Sequence, residues 1–159
     1  MITCGTGYDA HRLASGRKLI LGGVEIPHNR GLEGHSDADV LCHAIADALL
    51  GAIGESDIGH HFPNSDESIR GISSLEILRE VNSVLGRKNA RAVNVDATLI
   101  AEAPKIAPHI PAMREKIAAA LNLETSRVSI KATTNEGLGA IGRGEGMAAM
   151  AVATVETTN

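Results

Sequence analysis

SDADVLCHAIADALLGAIG, residues 36–54, is the stretch on which the fold turns. Its apolar residues recur at helical spacing, with Leu41, Ile45, Ala48, Leu49 and Ala52 covering much of one side. Asp39, His43 and Asp47 stand at i, i+4 and i+8 and form a polar stripe opposite. Ser36 or Asp37 can cap this helix, and the acids near its start suit the positive end of the helix dipole. A helix this apolar needs a sheet to bury it, and the flanks supply candidate strands.

Upstream, residues 2–8 read as a short strand interrupted by two glycines. KLILGGVEI, 18–26, reads as a β-hairpin turning at Gly22-Gly23, and 27–34 as loop. Downstream, 54–71 is rich in Gly, Asp, Ser, His and Pro without clear periodicity, the composition of a functional or mobile loop. A second helix is predicted over 74–85, with Ser73 and Glu76 as a capping box and Gly86 at its end. AVNVDATLIAEAP, 92–104, alternates with period two and reads as a strand that stops before Pro104. Pro111 suits the first turn of a helix reaching about Leu121. RVSIKATT and MAAMAVATVE (147–156) complete the strands. The order predicts an α/β fold of the α+β sandwich type: a mixed four-stranded main sheet, helices on one face, and a small N-terminal hairpin. Nothing divides the 159 residues, so one domain spanning 1–159 is expected.

Composition narrows the function classes. Tyr8 and Phe62 are the only aromatics, so the core is built from Ala, Val, Leu and Ile. Such a core buries little area per residue, which makes subunit association attractive. Net charge is −4 with basic residues scattered, which argues against a nucleic-acid surface. No run of 18 apolar residues is present, so no membrane span is expected, and the first ten residues do not read as a secretory signal. The expectation is a cytoplasmic protein in which Cys4 and Cys42 remain free thiols.

GYDAHRL, 7–13, carries the first chemistry. Side chains at i and i+2 of an extended segment share a face, so Asp9 and His11 can present their heads to one point. His43 on the helix offers a third ligand. One carboxylate and two imidazoles suit Zn²⁺ with a fourth position open, and Asp39 or Asp47 could orient His43 through its second ring nitrogen. His28, His60, His61 and His109 compete as ligands on spacing alone, and Mn²⁺ or Fe²⁺ accept the same donors. Two other segments could hold phosphate. His35 and Ser36 stand at a helix start, where free N–H groups attract an anion. Lys131, Thr133, Thr134 and Glu136 cluster at a strand end, where hydroxyls and amides can bind a diphosphate and a carboxylate can hold Mg²⁺.

GYDAHRL, GGVEIPHNRGLEGHSDADVLCHAIADALLGA, DIGHHFP, AEAPKIAPHIPAMR and IKATTNEGLGAIGRGEG together resemble the 2-C-methyl-D-erythritol 2,4-cyclodiphosphate synthase family over essentially the whole chain. The resemblance implies a homotrimer with active sites between subunits. It implies a lyase of the non-mevalonate isoprenoid pathway that converts 4-diphosphocytidyl-2-C-methyl-D-erythritol 2-phosphate to the cyclic diphosphate and CMP. Zinc falls to Asp9, His11 and His43, and Mg²⁺ or Mn²⁺ to Glu136. His35, Thr134 and Glu136 take catalytic roles. Substrate contacts fall to His35, Ser36, Asp57, Gly59, Asn64 and Asp66, then to Ala101, Pro104, Lys105, Ile106, Ala107, Thr133, Thr134 and Arg143. Four positions depart from the family pattern: Asn64, Asn135, Gly137 and Ala140, the last where an aromatic can line a cavity on the trimer axis. Arg143 and Glu145 match the charged rim of that cavity.

The residues alone leave two rivals to this resemblance. One is a metal-dependent phosphohydrolase that activates water. The other is a non-catalytic, zinc-stabilised trimer that binds a partner or metabolite.

Overall fold

A computed structural model describes residues 1–158. Strand β1 runs over Ile2–Ser15, followed by the hairpin β2 (Leu19–Leu21) and β3 (Val24–Ile26), and by β4 (Arg30–Leu32). Helix α1 spans Val40–Ala52, α2 Ile58–His61 and α3 Ser74–Arg87. Strand β5 (Ala90–Ile100), α4 (Ile110–Leu121), β6 (Val128–Thr133), the short α5 (Gly139–Gly142) and β7 (Gly146–Thr157) follow.

The strands lie in the order β4-β1-β7-β5-β6, with the β2-β3 hairpin apart. Only β5 and β6 run parallel, joined through α4. Four long strands make the main sheet as expected, and β4 adds a short fifth at its edge. The sequence reading placed 27–34 in a loop. Three residues of it pair because Leu13 to Ser15 present a free edge to Arg30–Leu32. On its other side, pairing with β7 carries β1 well past residue 8: Asp9 and His11 sit inside the strand, opposite Ala149 and Met147.

Helices α1, α3 and α4 cover one face of the sheet. Leu41, Ile45, Leu49 and Leu50 of α1 are fully buried, with Leu78, Leu85, Leu99, Met113 and Ile117 from the neighbouring elements. Glycine lets α1 come close: a Cβ at Gly5 would lie 2.1 Å from the Ala48 carbonyl oxygen, and one at Gly7 1.9 Å from that of Ala44. The opposite face is bare. Tyr8, Met150 and Val152 point outward from β1 and β7, and each is 45% exposed or more.

Helix boundaries differ from the sequence reading at the caps. The N-cap of α1 is Asp39, not Ser36 or Asp37. Its carboxylate accepts from the N–H groups of Gly22 at 3.0 Å, Gly23 at 2.7 Å and Cys42 at 3.1 Å. One buried acid thus caps the helix and staples the hairpin turn to it. At α3, Ser73 caps through the Leu75 N–H, while Glu76 turns to Arg79 and leaves the box half made. Gly86 lies within α3, and Asn89 takes the left-handed turn beyond it at φ 53°. Residues 54–71 are not wholly irregular: α2 and a 3₁₀ turn over Glu67–Ile69 interrupt them. Cys4 and Cys42 are unpaired, one exposed on β1 and one buried in α1. No helix among the described residues is long and apolar enough to cross a membrane.

Candidate metal centre and nucleotide cavity

Asp9 and His11 project from β1 toward the first turn of α1, where His43 meets them. His11 Nε2 lies 2.8 Å and His43 Nδ1 3.0 Å from the same Asp9 oxygen, and the two nitrogens are 3.2 Å apart. A tetrahedral ion with bonds of about 2.0–2.1 Å holds its ligands about 3.3 Å apart, so these three donors fit one divalent cation. Among the described residues no other His, Cys, Asp or Glu group forms such a cluster, so His28, His60, His61 and His109 are not its ligands. Burial works to raise the Asp9 carboxyl, but hydrogen bonds and charge from His11 and His43 hold it well below the usual carboxylate range. Burial opposes charge on His11, yet Asp9 and the Glu33 backbone raise it above its ordinary value.

The acids expected to orient His43 do other work. Asp39 caps α1, and Asp47 accepts from the Ile58 N–H at 2.8 Å, fixing the start of α2. His43 Nε2 instead meets two buried hydroxyls, Ser36 at 3.1 Å and Ser74 at 3.0 Å. Neither Ser74 nor Asp37, which holds it, reads from the sequence as part of a site. Ser74 is simply a first-turn residue of a helix 31 positions from His43.

The cluster lies in the wall of a cavity of about 210 Å³. His35, Ser36, Gly59 and Asn64 line it beside the ligands, and Ile58, Phe62, Ile69, Ile72 and Ile77 give it an apolar side. His35 is tied to the loop that follows α2 by a 3.1 Å contact between Nε2 and the Asp66 carbonyl oxygen. Asp57 caps α2, and Asp66 caps the 3₁₀ turn through the Ser68 N–H at 2.9 Å. Both carboxylates therefore shape the loop that walls the cavity.

A second cavity, of about 340 Å³, opens at the ends of β5 and β6. Ala101, Pro104, Lys105, Ile106 and Ala107 form one side, and Thr133, Thr134 and Glu136 the other. A cis peptide joins Ala103 to Pro104. Glu102, which the sequence reading passed over, accepts from the Asn135 N–H at 2.7 Å and holds the two sides together. Glu136 stands at φ 51°, with its N–H donating to the Thr134 hydroxyl at 3.2 Å. Lys131 does not join this group, because both Asp96 oxygens hold its ammonium at 2.6 Å. Arg143 lies apart from both cavities, at the end of α5, paired with Glu145 at 2.7 Å.

Both cavities open at the same end of the sheet, since Asp9, Ala149 and Leu99 are in register across β1, β7 and β5. Within one chain they stay apart. Three strand spacings, about 14 Å, separate β1 from β6.

A model of the YgbB family matches residues 2–156. The chain belongs to this family, that of the 2-C-methyl-D-erythritol 2,4-cyclodiphosphate synthases. Synthases of this name from Alkaliphilus metalliredigens and Symbiobacterium thermophilum are each 60% identical to it over 151 residues, 95% of this chain and 95% and 96% of theirs. Among solved YgbB-family structures, the bifunctional IspDF of Campylobacter jejuni superposes with a TM-score of 0.95 at 38% identity. All of this chain matches 43% of that longer one. A CDP complex of IspF from Plasmodium falciparum superposes at 0.86 and 35% identity, over 99% of this chain and 97% of the other. As a YgbB-family enzyme with a metal-coordinating triad, the chain carries the three donors on β1 and α1, which Gly5 and Gly7 allow to approach closely.

Proposed function

We propose that this protein is a 2-C-methyl-D-erythritol 2,4-cyclodiphosphate synthase that works as a homotrimer. It would take 4-diphosphocytidyl-2-C-methyl-D-erythritol 2-phosphate to the cyclic diphosphate and CMP. The observation that carries this reading is the Asp9–His11–His43 cluster, set in a cavity wall beside His35 and Ser36. Relatives 60% identical bear the synthase name.

The chemistry is intramolecular. An oxygen of the substrate's 2-phosphate attacks the β-phosphorus, and the bond from that phosphorus to the bridging oxygen breaks. CMP leaves with the bridging oxygen. No protein nucleophile is needed, so catalysis reduces to positioning and charge stabilisation. A Zn²⁺ on Asp9, His11 and His43 and a Mg²⁺ or Mn²⁺ on Glu136 would supply Lewis-acid polarisation and charge neutralisation at the diphosphate. His35 and Ser36 hold the 2-phosphate end. Asp57, Gly59, Asn64 and Asp66 shape and line the loop over the erythritol part, with the apolar wall behind it excluding water. Thr133 and Thr134 fix the α- and β-phosphates. Ala101 to Ala107 form the cytidine pocket, with Lys105 on its nucleotide side; the CDP complex of the Plasmodium falciparum relative supports a cytidine nucleotide as ligand. Arg143 contacts substrate only if a neighbouring copy brings it close.

The same geometry supports assembly. One chain holds its metal cluster and its nucleotide cavity about 14 Å apart. The bare face carrying Tyr8, Met150 and Val152 offers a contact between copies, which would bring one chain's metal cluster to a neighbour's nucleotide cavity. Two free thiols suit a cytoplasmic setting. Residues 1–159 form one domain in this reading, since the last strand, β7, lies between the first, β1, and the mid-chain strand β5 in a single sheet.

Phosphorus NMR of the purified protein with this substrate tests the reading. Metal-dependent appearance of a cyclic diphosphate with CMP is expected, and a chelator should stop it. Linear phosphate products carrying oxygen from water would make it a hydrolase, and unchanged substrate with metal loaded would leave only a binding protein. Glu136→Gln should abolish turnover while zinc binding stays intact.

A further inference from the structure

Ser74 and Asp37 form a buried chain behind His43. The imidazole shows Nδ1 to Asp9 and His11, so a cation there takes the Nδ1 lone pair. The ring proton must then sit on Nε2. Nε2 meets the Ser74 hydroxyl at 3.0 Å and the Ser36 hydroxyl at 3.1 Å. Ser74 is fully buried and His43 is 6% exposed, so bulk water does not reach the Ser74 contact.

The direction of the Ser74 contact is set from behind. Its O–H donates to one Asp37 oxygen in a very short contact, and its backbone N–H donates to the other at 2.9 Å. With the hydroxyl proton committed to a carboxylate, the Ser74 oxygen can only accept from His43. Asp37 is itself anchored, accepting from the Asp39 N–H at 3.2 Å and donating its own N–H to the Ile72 carbonyl at 3.1 Å. The sequence of groups is carboxylate, hydroxyl, imidazole, cation. An outer partner of this kind fixes the tautomer of a ligating histidine and raises its basicity.

We propose that Ser74 and Asp37 are positioning residues of the metal centre, holding His43 as its Nε2–H tautomer and raising the affinity of the Asp9–His11–His43 cluster for a divalent cation. The proposal rests on the metal reading of that cluster. Neither residue touches the reacting atoms. Their effect reaches substrate only through His43.

The test is zinc affinity by competition with a chromophoric chelator, on wild type and on Ser74→Ala, Ser74→Thr, Asp37→Asn and His43→Ala. Ser74→Ala and Asp37→Asn should each weaken zinc about 10–100-fold. Ser74→Thr, which keeps the hydroxyl, should recover most of it. Zinc held by Ser74→Ala within twofold of wild type, while His43→Ala loses it, would overturn the proposal and leave the metal site standing. A wild type that binds no zinc, or a His43→Ala variant that binds as tightly, would overturn the metal reading first. Nitrogen-15 NMR of zinc-loaded wild type needs no variant to fold. A slowly exchanging proton on His43 Nε2 is expected, and a proton on Nδ1 would sink the idea.

Discussion

Gly7 is where α1 touches the sheet, and alanine there should damage the fold and the metal cluster together. The new Cβ would lie 1.9 Å from the Ala44 carbonyl oxygen and 2.9 Å from the Ala48 nitrogen. These are backbone atoms of α1, so no side chain can swing aside. Ordinary contact begins at 3.4 Å, so the helix must retreat by about 1.5 Å. Overpacking of this kind costs about 3 kcal/mol at the upper end of its usual range. For a chain of this length that lowers the melting temperature by roughly 6–12 °C. The same retreat carries His43, the residue before Ala44, away from Asp9, two residues beyond Gly7 on the strand. Metal sites tolerate errors of about 0.2 Å in their bonds, so zinc affinity should fall at least about tenfold in protein that still folds. Thermal unfolding at one protomer concentration and zinc competition read the two effects. Gly51→Ala is the control, because on the same helix its Cβ would meet nothing closer than 3.8 Å. It should be neutral or up to about 1 kcal/mol more stable. A Gly7→Ala protein that melts within a degree or two of wild type and binds zinc within twofold would refute the coupling.

Asp39→Ala strands three N–H groups, two of them buried at about 1–3 kcal/mol each, so a loss of at least about 2 kcal/mol is expected in urea unfolding. Asp39→Asn, keeping one acceptor oxygen, should lose less. Zinc affinity should depend on pH through His11, which, against the effect of burial, Asp9 and the Glu33 backbone raise above its ordinary value. Proton and cation compete for Nε2, so affinity is full above the raised value and falls by about tenfold per unit as pH drops through it. A competition titration that stays flat from about pH 7.5 to pH 6 would contradict this. Met150→Glu puts a charge in the centre of the bare sheet face, beside Tyr8 and Thr98. Sedimentation should show the assembly falling to single chains, and an unchanged mass would move the contact elsewhere.

The elements and the metal ligands are legible in the sequence because each rests on a local rule. The 3.6-residue period over 40–52 and the two-residue period over 92–100 declare the α1 helix and the β5 strand. Asp9 and His11 share a face because alternate residues of any strand do. His43 emerges as the third ligand from a polar stripe on one helix. What the stripe could not say is which of its members serve the metal. Asp39 and Asp47 stand at the same helical spacing from His43 yet bind backbone N–H groups of the hairpin and of α2. Strand β4 was invisible for the same reason, since RGL pairs only because β1 runs on to offer it an edge. Ser74 and Asp37 are 37 residues apart, and no periodicity links them. Local order follows from how one chain segment packs its own neighbours. The partners of a buried polar group depend on which donors and acceptors the folded chain leaves unpaired, and only the tertiary structure decides that.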